Sequence, residues 1–261
     1  MRSWPLLPLS AALVAAVIST AASAQPAPTS NYTSFEAAPA KPVQLGYRTR
    51  VDIGVYPWSS VGKIYNSTGG ACTGSLIGKN KVLTAAHCMF NARTRHFIRP
   101  ERIHFLLGYE GGRYRSHFIV AHYEIGPGYD AAAVTKVQAS DWAVLTIPTS
   151  GDDKIQPIYL ANDPVLKNAP VMLPGFAQDH AFAMTVDTHC HVVGTYEGGS
   201  LMLNDCVALH GDSGAPIIVA DGTGNFHVVG VQSAIVRIGG IYKSIAVAST
   251  SPGLLDAVDR R

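Results

Sequence analysis

The stretch Gly211-Asp212-Ser213-Gly214-Ala215-Pro216 leads into an apolar run that ends at Ala220. A serine between aspartate and glycine, where a strand begins, has two readings. One is a surface turn, because these residues all favour turns. The other is a nucleophile. A serine hydroxyl reacts poorly at neutral pH and needs a base beside it, so the second reading requires a partner elsewhere in the chain. The glycines leave the backbone free to turn its N–H groups toward one point. The Gly211 and Ser213 N–H groups are then the expected donors to a developing oxyanion, each worth roughly 3–4 kcal/mol.

Two further phrases supply the partners. Thr84-Ala85-Ala86-His87-Cys88 follows Val82-Leu83, so an imidazole stands where an apolar strand ends in small residues, beside a cysteine that can pin it. The chain has ten histidines and a lone one is usually structural; strand, small residues and cysteine together single out His87. Its unperturbed pKa of about 6.5 suits it to act as the base. Such a base needs a carboxylate to fix its tautomer. Ser140-Asp141-Trp142-Ala143-Val144-Leu145 puts Asp141 at the mouth of the apolar run Trp142 to Ile147. The rivals Asp130, Asp152 and Asp153 lie in glycine-rich or polar contexts with no strand after them. The order His, Asp, Ser is one of three unrelated orders in which this constellation has been built.

Around these phrases the pattern is of short strands. Apolar runs recur at Val82-Leu83, His117 to Tyr123, Trp142 to Ile147, Pro170 to Leu173, Ala215 to Ala220, Phe226 to Val231 and Ile241 to Val247, with Gly, Pro, Asn or Asp between them. That spacing predicts an all-β barrel or sandwich. Pro252 to Val258 is the best helical stretch, with Leu254, Leu255 and Val258 on one side. The polar segment Pro148-Thr149-Ser150-Gly151-Asp152-Asp153 divides the chain into halves at 46–147 and 157–261, with a linker at 148–156. His87 and Asp141 precede it and Ser213 follows it, so the site is expected in a cleft between the halves.

The chain has 261 residues, 47% apolar and 15% charged, enough to bury a sizeable core. A net charge of +2 is too small to imply nucleic acid or an anionic membrane as partner. Arg2, the run Leu6 to Ile18 and Ala22-Ser23-Ala24 predict a cleaved signal peptide over 1–24. The run is too short for a membrane anchor, which takes about 20 residues. Residues 25–45, with Pro26, Pro28, Pro39 and Pro42, predict a leader or propeptide. The expectation is a secreted or periplasmic monomer. In an oxidising compartment the four cysteines are read as disulfides, and the local pairing Cys72–Cys88 and Cys190–Cys206 is chosen from three connectivities. The competing metal site, Cys190 with His189 and His191, lacks a second ligand cluster, so no metal is expected. Asn31-Tyr32-Thr33 and Asn66-Ser67-Thr68 match the N-glycosylation pattern, which matters only in a eukaryotic secretory route.

The three phrases resemble the chymotrypsin-like, trypsin-type serine endopeptidases, over about Pro57 to the C-terminus. The resemblance implies two six-stranded antiparallel β-barrels with His87, Asp141 and Ser213 between them, no cofactor, and a protein or peptide substrate. It implies that Ser233, in Val231-Gln232-Ser233-Ala234, supports Asp141 and pairs with substrate backbone. It also offers Arg50-Val51 as a processing site, whose freed α-amino group would pair with Asp212. The phrase Asp205 to Ser213 is similar to the secreted bacterial branch that includes the glutamyl endopeptidases, although Gln232 stands where that branch has histidine. Six residues before the serine, where trypsin-type members carry aspartate, this chain has Val207, followed by Ala208. Val207, Ala208 and Gln232 then predict a neutral pocket for an apolar or small P1 residue, with Asp205 as the nearest acid to compensate. The competing functions are a non-catalytic relative that binds protein or carbohydrate in the same cleft, and an α/β-hydrolase esterase. The esterase wants Gly-x-Ser-x-Gly, and Ala215 breaks that pattern.

Overall fold

The computed structural model describes residues 44–45, 48–133, 136–149, 155–238 and 240–260. The expected signal peptide, the leader up to residue 43, the Asn31 glycosylation pattern and residues 150–154 of the expected linker lie outside the described residues.

A short hairpin, β1 (Gln44–Leu45) and β2 (Arg48–Arg50), precedes the first sheet. That sheet contains β3 (Val61–Asn66), β4 (Ala71–Leu76) and β5 (Lys81–Thr84). A two-residue hairpin of β6 (Phe90–Asn91) and β7 (His96–Phe97) stands apart from it. The sheet is completed by β8 (Ile103–Leu107), β9 (Ser116–Ile119), β10 (His122–Ile125) and β11 (Ala143–Thr146). Its order is β10-β11-β5-β4-β3-β8-β9. The run His117 to Tyr123, predicted as one strand, is bent into β9 and β10. At the bend the Val120 N–H donates to Ile103 O and the Ala121 N–H to Thr146 O. The corner therefore bonds to both ends of the sheet, which curls round on itself. Alternation drives this burial: Ile103, Phe105 and Leu107 point inward along β8 while His104 and Leu106 lie half-exposed between them. They pack with Ile64, Val82 and Leu145.

The second sheet holds β12 (Pro170–Gly175), β13 (Thr185–Tyr196), β14 (Leu201–Asn204), β15 (Pro216–Ala220), β16 (Phe226–Ile238) and β17 (Ile241–Ala248). The order β13-β12-β15-β16-β17-β14 closes through a β13–β14 ladder, a six-stranded barrel without free edges. Residues 48–50 are a correction to the expected halves. Grouped by sequence with the first, they pair with the second, Arg50 opposite Thr185 and Thr49 opposite Val186. A second cluster lies between the sheets and draws on both: Leu83, Trp142 and Val144 from one half, Phe176, Val231 and Val247 from the other. The helix expected at Pro252 to Val258 is α1 (Leu254–Asp259), which adds Leu254 and Ala257 to that cluster. The all-β, chymotrypsin-like architecture implied by the resemblance is observed, but only the second sheet closes into a six-stranded barrel; the first, of seven strands, curls into a half-barrel. Asn66 is buried, and its Oδ1 accepts bonds from the Thr68 and Gly70 N–H groups and the Thr68 hydroxyl, so it serves its own turn and is no exposed glycan acceptor.

Candidate active site

Strand pairing brings the first two candidates together. Ala143 faces Thr84 in the β11–β5 ladder, so Asp141, just before β11, and His87, just after β5, fall at the same end of the sheet. His87 is not the end of the strand itself. Ala85 is extended and caps a 3-10 turn, Ala86–Met89, that carries the imidazole. Ala85 and Ala86 are fully buried, and larger side chains would not fit against this core. The Cys72–Cys88 disulfide ties the turn to β4, and Cys190–Cys206 ties β13 to the segment after β14. Both pairings are the local ones expected.

Asp141 is buried and accepts three hydrogen bonds. The His87 backbone N–H donates to Oδ1 at 2.9 Å, His87 Nδ1–H to Oδ2 at 2.8 Å, and the Ser233 hydroxyl to Oδ2 at 2.6 Å. Burial pushes this carboxyl up. The His87 ring bond and charge, the Ser233 hydroxyl and the His87 amide outweigh it and hold the pKa below the ordinary value. A carboxylate only accepts, so His87 Nδ1 carries a proton, and in the neutral ring the lone pair is on Nε2. Ser233 reaches Asp141 through a bulge. Gln232 pairs with Ala246 and Ala234 with Ile245, so Ser233 is an extra residue in β16, and bulges of this kind re-aim side chains. The sequence run ended this strand at Val231, whereas β16 continues to Ile238.

Ser213 sits in the loop before β15. Two glycines there are required by contact. Gly211 has φ 97°, and a Cβ on it would lie 2.3 Å from Phe176 O. Gly214 has φ 80°, and a Cβ on it would lie 2.0 Å from Thr84 Oγ1 and 2.4 Å from Thr73 O. Backbone bonds fix the rest: Thr73 N–H to Ser213 O, Gly214 N–H to Gln232 O and Ala215 N–H to Asp212 O, each 2.8 Å. Among the described residues, neither the Gly211 nor the Ser213 N–H donates to a protein acceptor.

His87, Asp141, Gly211, Ser213, Gln232 and Ser233 line one cleft of about 1210 Å³. No hydrogen bond joins Ser213 Oγ to the His87 ring among the described residues; such bonds are often loose in the free state and tighten with substrate. Val207 and Ala208, expected on the pocket floor, are absent from the cleft's lining. Ala208 is buried in the second barrel's core. Val207 is held by its backbone, with N–H to Asp187 Oδ2 at 2.9 Å and O accepting from Arg48 at 2.8 Å. Asp205 is engaged by the His191 N–H at 2.6 Å and lies 3.9 Å from Lys243 Nζ. Cys72, His87 and Cys88 are close enough to suggest a metal site, but both sulfurs are in a disulfide, as is that of Cys190.

Two residues were missed from the sequence. Thr73 is fully buried on β4; its hydroxyl donates to Gly211 O at 2.9 Å and accepts from the Phe176 N–H at 3.1 Å. Its place beside Cys72 was the only pointer. Arg48 lies at the edge of the leader composition, and no local pattern marks it. Its guanidinium pairs with the fully buried Asp212 at 2.8 Å, in the place the resemblance gave to a freed α-amino group.

Comparisons with known proteins bear on the family and the fold. A family model described as Trypsin matches residues 48–256. Trypsin zeta of Drosophila erecta is 25% identical over 203 residues, covering 67% of this chain and 70% of that protein. The solved structure of a Glu endopeptidase in complex with MPD superposes with a TM-score of 0.68 at 19% identity, over 81% of this chain and 94% of that one.

Proposed function

The chain belongs to the trypsin family, a family of serine endopeptidases, and from that premise we propose that it is an exported enzyme that cleaves peptide bonds through Ser213, His87 and Asp141. Ser213 Oγ attacks the peptide carbonyl while His87 Nε2 takes its proton. The C–N bond breaks, His87 returns the proton to the leaving amine, and an acyl-enzyme remains on Ser213. Water, deprotonated by His87, then releases the acid. Asp141 holds the ring tautomer and stabilises the imidazolium. The Gly211 and Ser213 N–H groups receive the oxyanion. The observation that carries this reading is the Ser233–Asp141–His87 chain of hydrogen bonds opening on the cleft that Ser213 also lines. Export is supported by two disulfides, which persist in oxidising compartments. Among the described residues no helix is long and apolar enough to cross a membrane. The test is a fluorophosphonate label and kcat. Parent protein should label at Ser213, and a folded Ser213→Ala protein should lose kcat by roughly 10⁶. A folded Ser213→Ala protein of near-normal kcat would end this assignment.

The same reading includes a neutral P1 preference. Among the described residues, Asp141 is the one carboxylate lining the cleft, and both its oxygens are engaged. A basic P1 side chain would lose hydration without gaining a free countercharge, a penalty of several kcal/mol. Matched peptides differing only at P1 should show kcat/KM for Leu or Ala at or above that for Arg. A preference for Arg of about 100-fold, which is roughly 2.7 kcal/mol, would contradict it.

A further inference from the structure

Asp212 immediately precedes the nucleophile and has no exposure to solvent. Its Oδ2 accepts from Arg48 Nη1 at 2.8 Å and from the Leu209 N–H at 2.9 Å, and its Oδ1 accepts from Arg48 Nη2 at 3.1 Å. The rest of the guanidinium is equally committed. Nε donates to Thr185 Oγ1 at 2.9 Å, Nη1 also donates to Val207 O at 2.8 Å, and Nη2 to Thr185 O at 2.8 Å. Arginine has five N–H donors, and every one has an acceptor in this socket. Arg48 is itself only 4% exposed. Arg48 pairs with Leu45 of β1, β13 holds its strand through Thr49 and Arg50, and Arg50 also pairs with Glu110.

This socket reaches the reacting groups through a short path. The Asp212 carboxylate holds the Leu209 N–H, and the Asp212 N–H donates to Leu209 O at 3.1 Å, so the tight turn Leu209–Asp212 is closed from both sides. Within that turn lies Gly211, and directly after it Ser213. We propose that Arg48 is the positioning residue that sets the oxyanion loop, so that the site is assembled without a freed α-amino group, and that scission after Arg50 disables the enzyme instead of activating it. A cut there would leave Arg48 on a fragment held by a three-residue strand. The Val51 amino group it releases would find Asp212 already filled by a fork of matching shape, and a single ammonium could replace neither the bond to Val207 O nor those to Thr185. The proposal rests on the assignment of Ser213 and its N–H donors made above.

Donors that meet the oxyanion act on the transition state and not on bound substrate, so their misplacement lowers kcat while KM stays nearly unchanged. The experiment compares the parent with Arg48→Lys, Arg48→Ala and a chain beginning at Val51. Each is assayed for kcat and KM on one peptide substrate, fluorophosphonate labelling and near-UV circular dichroism. Arg48→Lys keeps a buried positive charge with fewer donors. It should remain folded, lose kcat by roughly 100-fold and change KM by less than about threefold. Methylguanidine, which fits the space vacated in Arg48→Ala, should restore kcat toward that of the parent, and the chain beginning at Val51 should be inactive. The proposal is overturned if folded Arg48→Lys keeps the parent's kcat, if methylguanidine restores nothing to folded Arg48→Ala, or if the Val51 chain is as active as the parent. If neither Arg48 variant folds, the residue serves folding alone and its positioning role falls. A parent that fails to label at Ser213 overturns the catalytic assignment and this proposal with it. A labelled parent with unaffected Arg48 variants overturns this proposal only.

Discussion

Three donors converge on Asp141, and all three favour its ionised form. Its folded pKa therefore lies below the ordinary 3.8 despite burial. For a carboxyl shifted downward, the stabilisation is fully present above the unfolded value and is lost as pH falls through the folded one. Removing the charge by Asp141→Asn should consequently matter most at neutral pH. The gap in Tm between parent and Asp141→Asn should be constant above about pH 5 and shrink below about pH 4. Melting curves between those limits and stronger acid check this, and a gap that widens on acidification would mean the carboxyl is raised. The same substitution should lower kcat by about 10⁴ at neutral pH, through the wrong His87 tautomer.

At the scale of elements, the site is made of strand ends that other elements hold in place. The 3-10 turn carrying His87 is only four residues long and is fastened to β4 by Cys72–Cys88. On β4, Thr73 fastens the Gly211–Ser213 loop in turn. The paired replacement Cys72→Ser with Cys88→Ser should cost about 2–5 kcal/mol. It should also lower kcat by more than the matching replacement at Cys190 and Cys206, because only the first disulfide adjoins His87, the proposed base. Urea unfolding and kcat for the two double variants make the comparison. Equal effects on kcat would show that the turn is held well enough by the buried Ala85 and Ala86.

For the whole molecule, the cluster between the sheets decides how the halves behave. Trp142 and Val144 from one half and Val231 and Val247 from the other share it with Leu254 of α1. A core drawn from both sheets couples their unfolding, so calorimetry should show a single transition. Leu254 is fully buried, and Leu254→Ala should cost about 2–5 kcal/mol while keeping that single transition at a lower Tm. Two resolved transitions in the parent would show that the sheets fold independently.

Much was determined by the sequence alone. Short strands, a local pairing of cysteines and three phrases in the order His, Asp, Ser are patterns of period and type, set by neighbours within a few residues. Those neighbours are what a sequence displays. Val207 and Ala208 were placed by counting back from Ser213, and counting does not show which way a chain turns; the fold sends Ala208 into the barrel core. The bulge that aims Ser233 depends on a register shift between two strands, and only pairing creates it. Arg48 is 164 residues from Asp212, and β2 joins the second barrel although it precedes the first. No local pattern encodes such a contact. It exists because a buried carboxylate requires a partner of opposite charge, and only the tertiary structure decides which residue supplies it.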